Sequence, residues 1–329
     1  MMKRPFAEMA SVGVAVPPGV LTNADLTRML DTSDEWIVER TGIRERHIAT
    51  ADQSVAMLSC EASEKALERA GLTAKDLDAI VLGTASPDRL LPSTACDLQA
   101  LLGADNAAAF DIAAACPGFV FATTVAEGLI ASGQSETVLV VGAEKLSTIT
   151  DFQDRSTAIL FGDGAGAAIL QSRSDTHGLL TACMGADGSK GELLSMPAGG
   201  SRQPATIDSV NSRLHYLRMD GKETFKSAVN AMYQAAQEAL RRCEIDITQI
   251  KLVIPHQANR RIIDAVGERL GARPDQVFVN LHKFGNTSAA SVAIALDEAV
   301  TAGLIQRGDL VLLVVFGAGL TWGAAVIQW

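Results

Sequence analysis

The chain has 329 residues, 48% hydrophobic and 20% charged, which is the composition of a compact globular protein with room for one large domain or two ordinary ones. Its 38 acidic and 28 basic residues give a net charge of −10, which argues against nucleic acid as a general partner. No apolar run is long enough to span a membrane, the N-terminus lacks the apolar core of a signal peptide, and five cysteines without a C-x-x-C pair make neither a disulfide framework nor a zinc site. We therefore expect a cytoplasmic protein with reduced thiols and no membrane partner.

Short apolar runs alternate with amphipathic stretches along the whole chain. Runs such as AIVLG, TVLVVGA, KLVIP and DLVLLVVFGAG predict buried strands of an α/β sheet covered by helices on both faces. In chain order, helices are predicted at residues 23–30, 54–70, 96–102, 119–132, 222–243, 260–270 and 288–302. The least patterned segment, residues 197–218, predicts a long surface loop.

The second half of the chain repeats features of the first at a constant offset. Leu102 and Leu270 each precede a glycine that closes a helix, and they lie 168 residues apart. Phe110 and Phe278 keep the same offset inside the strand that follows. The repeat predicts a duplicated α/β unit, with one half at residues 1–175 and the other at 176–329. Equivalent strand-to-helix turns would then face each other at the junction.

The first of these turns, AAAFDIAAACPGF at residues 107–119, favours a nucleophile. An apolar strand runs through three alanines into Cys116, and Pro117 suits the first turn of the next helix. The thiol would lie at a helix N-terminus, where the macrodipole favours the thiolate. The alternative is a cysteine that only fills the core, which is the commoner use of the residue.

Two turns in the second half supply candidate partners for this thiol. His256 ends the apolar strand of KLVIPHQANRR, at the strand end where α/β sheets place their ligands. Asn286, in HKFGNTSAAS, precedes a helix of small residues. A structural histidine and a helix-capping asparagine are the alternatives. The joint occurrence of both residues at turns facing Cys116 favours the catalytic interpretation.

Several segments resemble the signature segments of a known enzyme family. DIAAACPGF, LFGDGAGAAIL, VIPHQANRRI, FGNTSAASV and FGAGLTWGAA, together with TNADLTRMLDTSDEWIVERTGIRERHI near the N-terminus, resemble those of β-ketoacyl-[acyl-carrier-protein] synthase III. This family belongs to the thiolase-like condensing enzymes. The resemblance implies an α/β thiolase-like fold of two similar βαβαβαββ halves in a five-layer αβαβα arrangement.

The activity that this resemblance implies is the first condensation of type II fatty acid synthesis. An acyltransferase of this type joins a short acyl-CoA, with acetyl-CoA expected, to malonyl-acyl carrier protein and yields 3-oxoacyl-acyl carrier protein. The alternative is a related ketosynthase of secondary metabolism that uses a different primer or acceptor. A non-catalytic acyl-CoA-binding protein is a third possibility, against which the intact Cys116, His256 and Asn286 argue.

The resemblance also assigns catalytic roles. Cys116 carries the acyl group, and the backbone N–H groups of Cys116 and Ala318 hold the oxyanion. His256 and Asn286 donate hydrogen bonds to the enolate that forms when malonyl loses carbon dioxide. Neither a metal nor a redox cofactor is implied, since acyl-CoA is a substrate.

Binding residues follow from the same resemblance. Trp36 would stack on the adenine of CoA with Arg155 on its other side, and Arg40 would lie near the phosphates. Further assignments are Thr32 and Asn259 for CoA, Lys226, Arg260, Arg261 and Arg269 for docking of an acidic carrier protein, and Leu91, Leu146 and Phe161 for the acyl pocket. Without the resemblance, Trp36 would be interpreted as a packing residue and the arginines as solvated charges. A homodimer is expected, because a partner subunit completes the family's acyl pocket, where Leu91 replaces a frequent phenylalanine.

Overall fold

The structure is a computed structural model that describes residues 6–173 and 178–329. The strands are β1 (Phe6–Ala15), β2 (Gly19–Thr22), β3 (Glu45–Ile48), β4 (Ala79–Gly83), β5 (Ala108–Ile112), β6 (Thr137–Glu144), β7 (Gly164–Arg173), β8 (Gly178–Ala186), β9 (Leu194–Ser195), β10 (Arg218–Met219), β11 (Leu252–Pro255), β12 (Leu310–Gly317) and β13 (Thr321–Gln328). The α-helices are α1 (Asn23–Leu26), α2 (Asp34–Thr41), α3 (Val55–Ala70), α4 (Thr94–Leu102), α5 (Gly118–Ala131), α6 (Arg155–Ala158), α7 (Ile207–Asn211), α8 (Gly221–Arg242), α9 (Arg260–Leu270), α10 (Leu281–Phe284) and α11 (Ser291–Thr301).

Two sheets with the same strand order form the body of the molecule. The first runs β1-β7-β6-β4-β5 and the second β8-β13-β12-β11. In each sheet the inner strands are parallel, β4 with β6 and β11 with β12, and the returning strand β7 or β13 is antiparallel to its neighbours. The counterpart of β5 is reduced to one bridge between Val253 and Val277. The predicted duplication of the fold is confirmed, with a shorter fifth strand in the second copy.

Helices cover both faces of both sheets, as their continuous apolar strands require. The two central helices, α5 and α11, lie between the sheets and share one core with both of them. The outer face of the first sheet packs on α3 and α4, and that of the second on α8 and α9. The result is the predicted five-layer αβαβα arrangement. The predicted boundary at 175/176 lies outside the described residues and stays a prediction.

The predicted helices are present, but two of them have different ends. The α-helix predicted at residues 23–30 ends at Leu26, and residues 27–30 form a tighter turn. In this turn the N–H groups of Arg28 and Met29 donate to carbonyls three residues earlier. The helix predicted at 288–302 begins as a 3₁₀ turn at Ser288–Ala290, because Ser288 has a left-handed φ of 46° that an α-helix excludes.

The segment at 197–218 is not an unstructured loop, so that prediction was wrong in part. It contains α7, whose first turn is closed by a reciprocal capping box between Thr206 and Ser209. Arg213 ion-pairs with Asp151 and fixes the segment to the first half of the chain. Among the described residues, the helices are too short or too polar to traverse a lipid bilayer.

Candidate active site

A cavity of about 770 Å³ reaches into the molecule where the two halves meet. Cys116, His256 and Asn286 all line it, although they come from three separate turns of the chain. Cys116 and His256 follow the carboxyl ends of β5 and β11, which is where α/β sheets present their ligands. Asn286 lies in the turn just before α11. The fold therefore brings together the three residues singled out in the sequence. No group of three metal-ligating side chains occurs in residues 6–173 and 178–329.

Cys116 lies on a tight elbow between β5 and α5. Ala115, just before it, has a left-handed φ of 50°, an uncommon conformation for a residue with a side chain and one that clusters at functional sites. The elbow packs closely against small neighbours: a Cβ on Gly118 would lie 3.1 Å from the Ala289 side chain, which is tighter than most Cβ contacts. The residue as a whole is only 7% exposed, and it lines the cavity.

The protonation state of Cys116 differs from the expectation based on the helix macrodipole. Burial raises the pKa of the thiol to about 12, and the nearby Glu144 carboxylate acts in the same direction, while the hydroxyl of Ser288 acts against them. The dipole of α5 favours the thiolate, but desolvation outweighs it at a group this deep. The Cys116 thiol is therefore neutral at rest, and it would have to lose its proton in order to act as a nucleophile.

His256 follows β11 and is buried, with Nδ1 2.7 Å from the Ser291 Oγ on α11. Burial lowers the pKa of the imidazole to about 3 because the charged form would be desolvated. At physiological pH the ring is neutral. It can act as a hydrogen-bond donor or acceptor, but it does not bring a positive charge to the cavity.

The orientation of the Asn286 amide follows from its own backbone contacts. Its side-chain oxygen accepts the N–H of Ser288 at 2.9 Å, and its main chain is bonded to Leu160 and Gly162. Because the oxygen faces the turn, the NH₂ group is the part of the side chain left for a ligand. The site therefore offers a donor from Asn286 beside the ring of His256.

The turn predicted to hold an oxyanion lies directly against Cys116. A Cβ on Gly317, at the end of β12, would lie 2.8 Å from the Cys116 backbone nitrogen, so only glycine permits this approach. The Thr321 hydroxyl contacts the carbonyls of Ala114 at 3.1 Å and Ala318 at 2.7 Å. These contacts hold the turn that contains Ala318 next to the elbow.

Some of the residues assigned to CoA line the mouth of the cavity, and others do not. Trp36, Arg40 and Asn259 line it, whereas Thr32 and Arg155 do not. The guanidinium carbons of Arg155 and Arg40 lie 4.8 and 5.5 Å from the centre of the Trp36 ring. Asn259 uses its amide to cap α9 and to hold the carbonyl of Arg40 at 3.0 Å, which joins α2 to α9.

Of the assigned docking cations, Lys226 and Arg261 line the cavity mouth, and Arg260 and Arg269 do not. Arg260 is paired with Asp264 at 2.7 Å, and Arg269 lies over the Tyr233 ring at 4.2 Å. Within the assigned acyl pocket, Phe161 lines the cavity and Leu146 is buried in the same apolar cluster. Leu91, by contrast, is 86% exposed and does not reach the cavity of its own chain.

Three polar residues of the site were not predicted from the sequence. Glu144 ends the buried strand β6, and Ser288 and Ser291 follow Asn286 on the way into α11. An acidic residue directly after the apolar run VLVVGA was a usable sign, since strand ends collect functional groups in α/β folds. The two serines stand inside the segment FGNTSAASV, where only the asparagine had been considered.

A buried thiol, a neutral imidazole and a carboxamide share one cavity between two similar halves of the chain. These features define the class of thiolase-like condensing enzymes. Models of the family described as 3-oxoacyl-[acyl-carrier-protein] synthase III match residues 110–188, and its C-terminal part matches 240–329. The chain belongs to that family.

Individual relatives support the assignment over the whole length. The β-ketoacyl-[acyl-carrier-protein] synthase III of Caldanaerobacter subterraneus is 51% identical over 100% of this chain and 99% of that relative. The crystal structure of 3-oxoacyl-[acyl-carrier-protein] synthase III from Aquifex aeolicus superposes with a TM-score of 0.91 at 45% identity, covering 98% and 100% of the two chains. The priming β-ketosynthase of the R1128 polyketide pathway is also similar, with a TM-score of 0.92 at 37% identity over 99% and 97%.

Proposed function

We propose that this enzyme carries out the condensation that starts type II fatty acid synthesis. It would join acetyl-CoA, or another short acyl-CoA, to malonyl-acyl carrier protein with loss of carbon dioxide. The observation that carries the proposal is the convergence of Cys116, His256 and Asn286 on one cavity that opens between aromatic and basic residues. A cytoplasmic location is part of the proposal and agrees with five cysteines that are all unpaired in the structure.

In the first half-reaction, Cys116 attacks the thioester carbon of the acyl-CoA. The carbonyl oxygen becomes an oxyanion between the backbone N–H groups of Cys116 and Ala318, and CoA leaves as its thiol. The close approach of Gly317 to Cys116 supports this pair of donors. Preorganised backbone donors act strongly here because the site excludes bulk water.

In the second half-reaction, malonyl-acyl carrier protein loses carbon dioxide and leaves an enolate on its thioester. The charge develops on the thioester oxygen, which needs donors and not a base. His256 Nε2 and the Asn286 NH₂ group are suited to this, because the ring is neutral and the amide oxygen is already engaged. The enolate carbon then attacks the acyl group on Cys116 and gives the 3-oxoacyl product.

The mouth of the cavity suits CoA and an acidic carrier protein. Trp36 provides an aromatic plane, and the guanidiniums of Arg40 and Arg155 lie close enough to meet an adenine or a phosphate. Thr32 and Asn259 would support this region, since Asn259 holds the end of α2.

Lys226 and Arg261 would receive the carrier protein, and binding of malonyl-carrier protein should then weaken as salt is added. Salt-independent binding would remove this part of the proposal.

A covalent adduct tests the main proposal. The intact protein is incubated with a panel of acyl-CoAs and its mass is measured. We expect the mass of one acyl group to be added to wild type and none to Cys116→Ala, which keeps its fold by circular dichroism. Failure to form an adduct with every acyl-CoA would overturn the proposal.

The same panel decides between the two metabolic uses of the fold. The likeness to a priming ketosynthase of polyketide synthesis favours a second candidate, a secondary-metabolism enzyme with a longer or branched primer. Turnover of acetyl-CoA with malonyl-carrier protein at a rate above all other primers supports fatty acid initiation. Preference for a bulkier primer supports the second candidate and would indicate that the pocket near Leu146 and Phe161 is wider than expected.

A further inference from the structure

Behind the cavity, a buried carboxylate is bonded to the turn that carries Asn286. Glu144 ends β6 and has no exposed surface. One of its oxygens accepts the Ser288 hydroxyl at 2.9 Å. Ser288 lies two residues after Asn286, and its backbone N–H donates to the side-chain oxygen of Asn286 at 2.9 Å. A single residue, Ser288, therefore connects the carboxylate with the amide of the site.

The carboxylate of Glu144 is held in place by further donors. It accepts the Ala85 N–H at 3.1 Å and the Ser86 hydroxyl at 2.6 Å. Ser86 Oγ itself accepts the Lys145 N–H at 2.9 Å, so the proton of the Ser86 hydroxyl is available for Glu144. The strand that ends at Glu144 is paired on both sides, with β4 and with β7. Glu144 is therefore a fixed anchor for the Ser288 hydroxyl.

Ser288 needs an anchor because of its backbone conformation. Its φ of 46° lies in the left-handed region, which is unfavourable for a residue with a side chain. If φ returned to negative values, the hydroxyl and the N–H would point in different relative directions, and the contacts with Glu144 and Asn286 could not both be kept. The hydrogen bond to Glu144 offsets the cost of the left-handed conformation.

The orientation of the Asn286 amide depends on this conformation. With the Ser288 N–H on its oxygen, the amide presents its NH₂ group to the cavity. An amide that is not held can turn over and present its oxygen, which is only an acceptor. In that orientation it would repel the oxygen of an enolate and not stabilise it.

We propose that Glu144 and Ser288 are positioning residues for malonyl decarboxylation. The carboxylate holds Ser288 in its left-handed conformation, and the Ser288 N–H holds the Asn286 amide with its NH₂ group toward the substrate. This role rests on the proposed function, in which Asn286 donates to the enolate oxygen. The attack of Cys116 on acyl-CoA uses neither residue, so the two steps of the reaction should respond differently when Glu144 or Ser288 is substituted.

Two substitutions of Ser288 test the role of its backbone. Decarboxylation of malonyl-carrier protein is measured as carbon dioxide release, and acylation by acetyl-CoA as the mass of the intact protein. Ser288→Ala removes the anchor and keeps the cost of the left-handed φ, so decarboxylation should fall by about tenfold while acylation stays near the wild-type rate. Ser288→Gly removes that cost as well and should recover most of the decarboxylation rate. A residue that only supported stability would show the reverse order, because glycine adds conformational freedom to the unfolded chain.

Glu144→Gln tests the carboxylate at nearly constant side-chain size. Only one acceptor oxygen remains for the hydroxyls of Ser86 and Ser288, so decarboxylation should fall toward the rate of Ser288→Ala. The same substitution combined with Ser288→Gly should cause no further loss, because a glycine backbone does not need the anchor. Ser63→Ala is the matched control. It removes a buried hydroxyl of α3 that donates to the Ser59 carbonyl of its own helix at 2.6 Å, and it should change neither step.

The variant Asn286→Ala shows whether Ser288 acts through the amide. In that background Ser288→Ala should cause no additional loss of decarboxylation, whereas independent effects would add. A loss confined to decarboxylation, recovered by glycine and absent without Asn286, supports the positioning role.

Other outcomes overturn it. If Ser288→Ala or Glu144→Gln decarboxylates at the wild-type rate, or if glycine deepens the loss, the positioning role is wrong and the proposed function still stands. The same holds if the loss persists without Asn286. A wild-type protein that neither forms the acyl adduct nor releases carbon dioxide overturns both proposals.

Discussion

At the scale of single residues, His256 and Asn286 can be separated from Cys116 by the step that each serves. His256→Ala and Asn286→Ala should form the acyl adduct at close to the wild-type rate, because neither side chain is needed for the attack by the sulfur. Malonyl decarboxylation should fall by about 10²–10³-fold in each, the usual cost of removing one donor from a developing oxyanion. Carbon dioxide release measures the second step and protein mass the first. Unchanged decarboxylation in both variants would contradict these roles.

Residue identities could be predicted here from the sequence, but protonation states could not. The elbow at Cys116 and the strand end at His256 are visible as local patterns of small and apolar residues. The pKa of each group depends on how much protein surrounds it, which no local pattern records. Burial raises the pKa of the Cys116 thiol and lowers the pKa of the His256 ring, so both groups are neutral. For Cys116 the sequence had suggested a thiolate.

At the scale of elements, close packing against the α11 turn makes one glycine of β6 irreplaceable. A Cβ on Gly142 would lie 2.3 Å from the carbonyl oxygen of Ala289, and a backbone atom cannot move aside as a side chain can. Gly142→Ala should destabilise the protein by about 1–3 kcal/mol or more, as overpacking in a core does. The free energy of unfolding in urea measures the loss.

The matched control for this variant is Gly128→Ala in α5. No atom outside its own helix lies within 4 Å of the added Cβ, and its backbone is helical. This substitution should leave stability unchanged or raise it by about 0.5–1 kcal/mol, because alanine loses less conformational freedom than glycine in a helix. Equal losses in the two variants would show that the contact at Ala289 is not what restricts Gly142.

Long elements followed from periodicity, whereas short ones depended on tertiary contacts. The helices α3, α8 and α9 were predicted within a residue or two because each carries a sustained apolar face. The strands β9 and β10 have two residues each and exist only because they pair with one another. Such elements have no sequence period to detect.

At the scale of the whole molecule, the constant offset of 168 residues was enough to predict two similar halves, since a repeat in sequence implies a repeat in topology. The order of strands within each sheet did not follow from the offset, because it depends on pairing between distant segments. Two features were visible only in the structure. β5 lies at one edge of the first sheet, and Leu90 and Leu91 are largely exposed to solvent.

From these two features we predict that the enzyme forms a homodimer. Leu90 and Leu91 are each 86% exposed, and Phe110 on the edge strand β5 is partly exposed. An unpaired apolar edge favours association, and a second copy related by a two-fold axis would cover the same surface on both chains. Light scattering should therefore give twice the monomer mass. Leu91→Asp should shift the protein toward monomer and reduce condensation, because Leu91 cannot reach the cavity of its own chain and is available to that of a partner.

Leu304→Asp is the matched control. Leu304 is also an exposed leucine, but it lies in the connection between α11 and β12 and belongs to neither β5 nor the Leu90–Leu91 pair. It should remain a dimer with wild-type turnover. A wild-type protein that stays monomeric while fully active would show that one chain contains the complete acyl pocket. In that case Leu91 would have no part in primer choice, and the pocket would be limited by residues of the same chain such as Phe161.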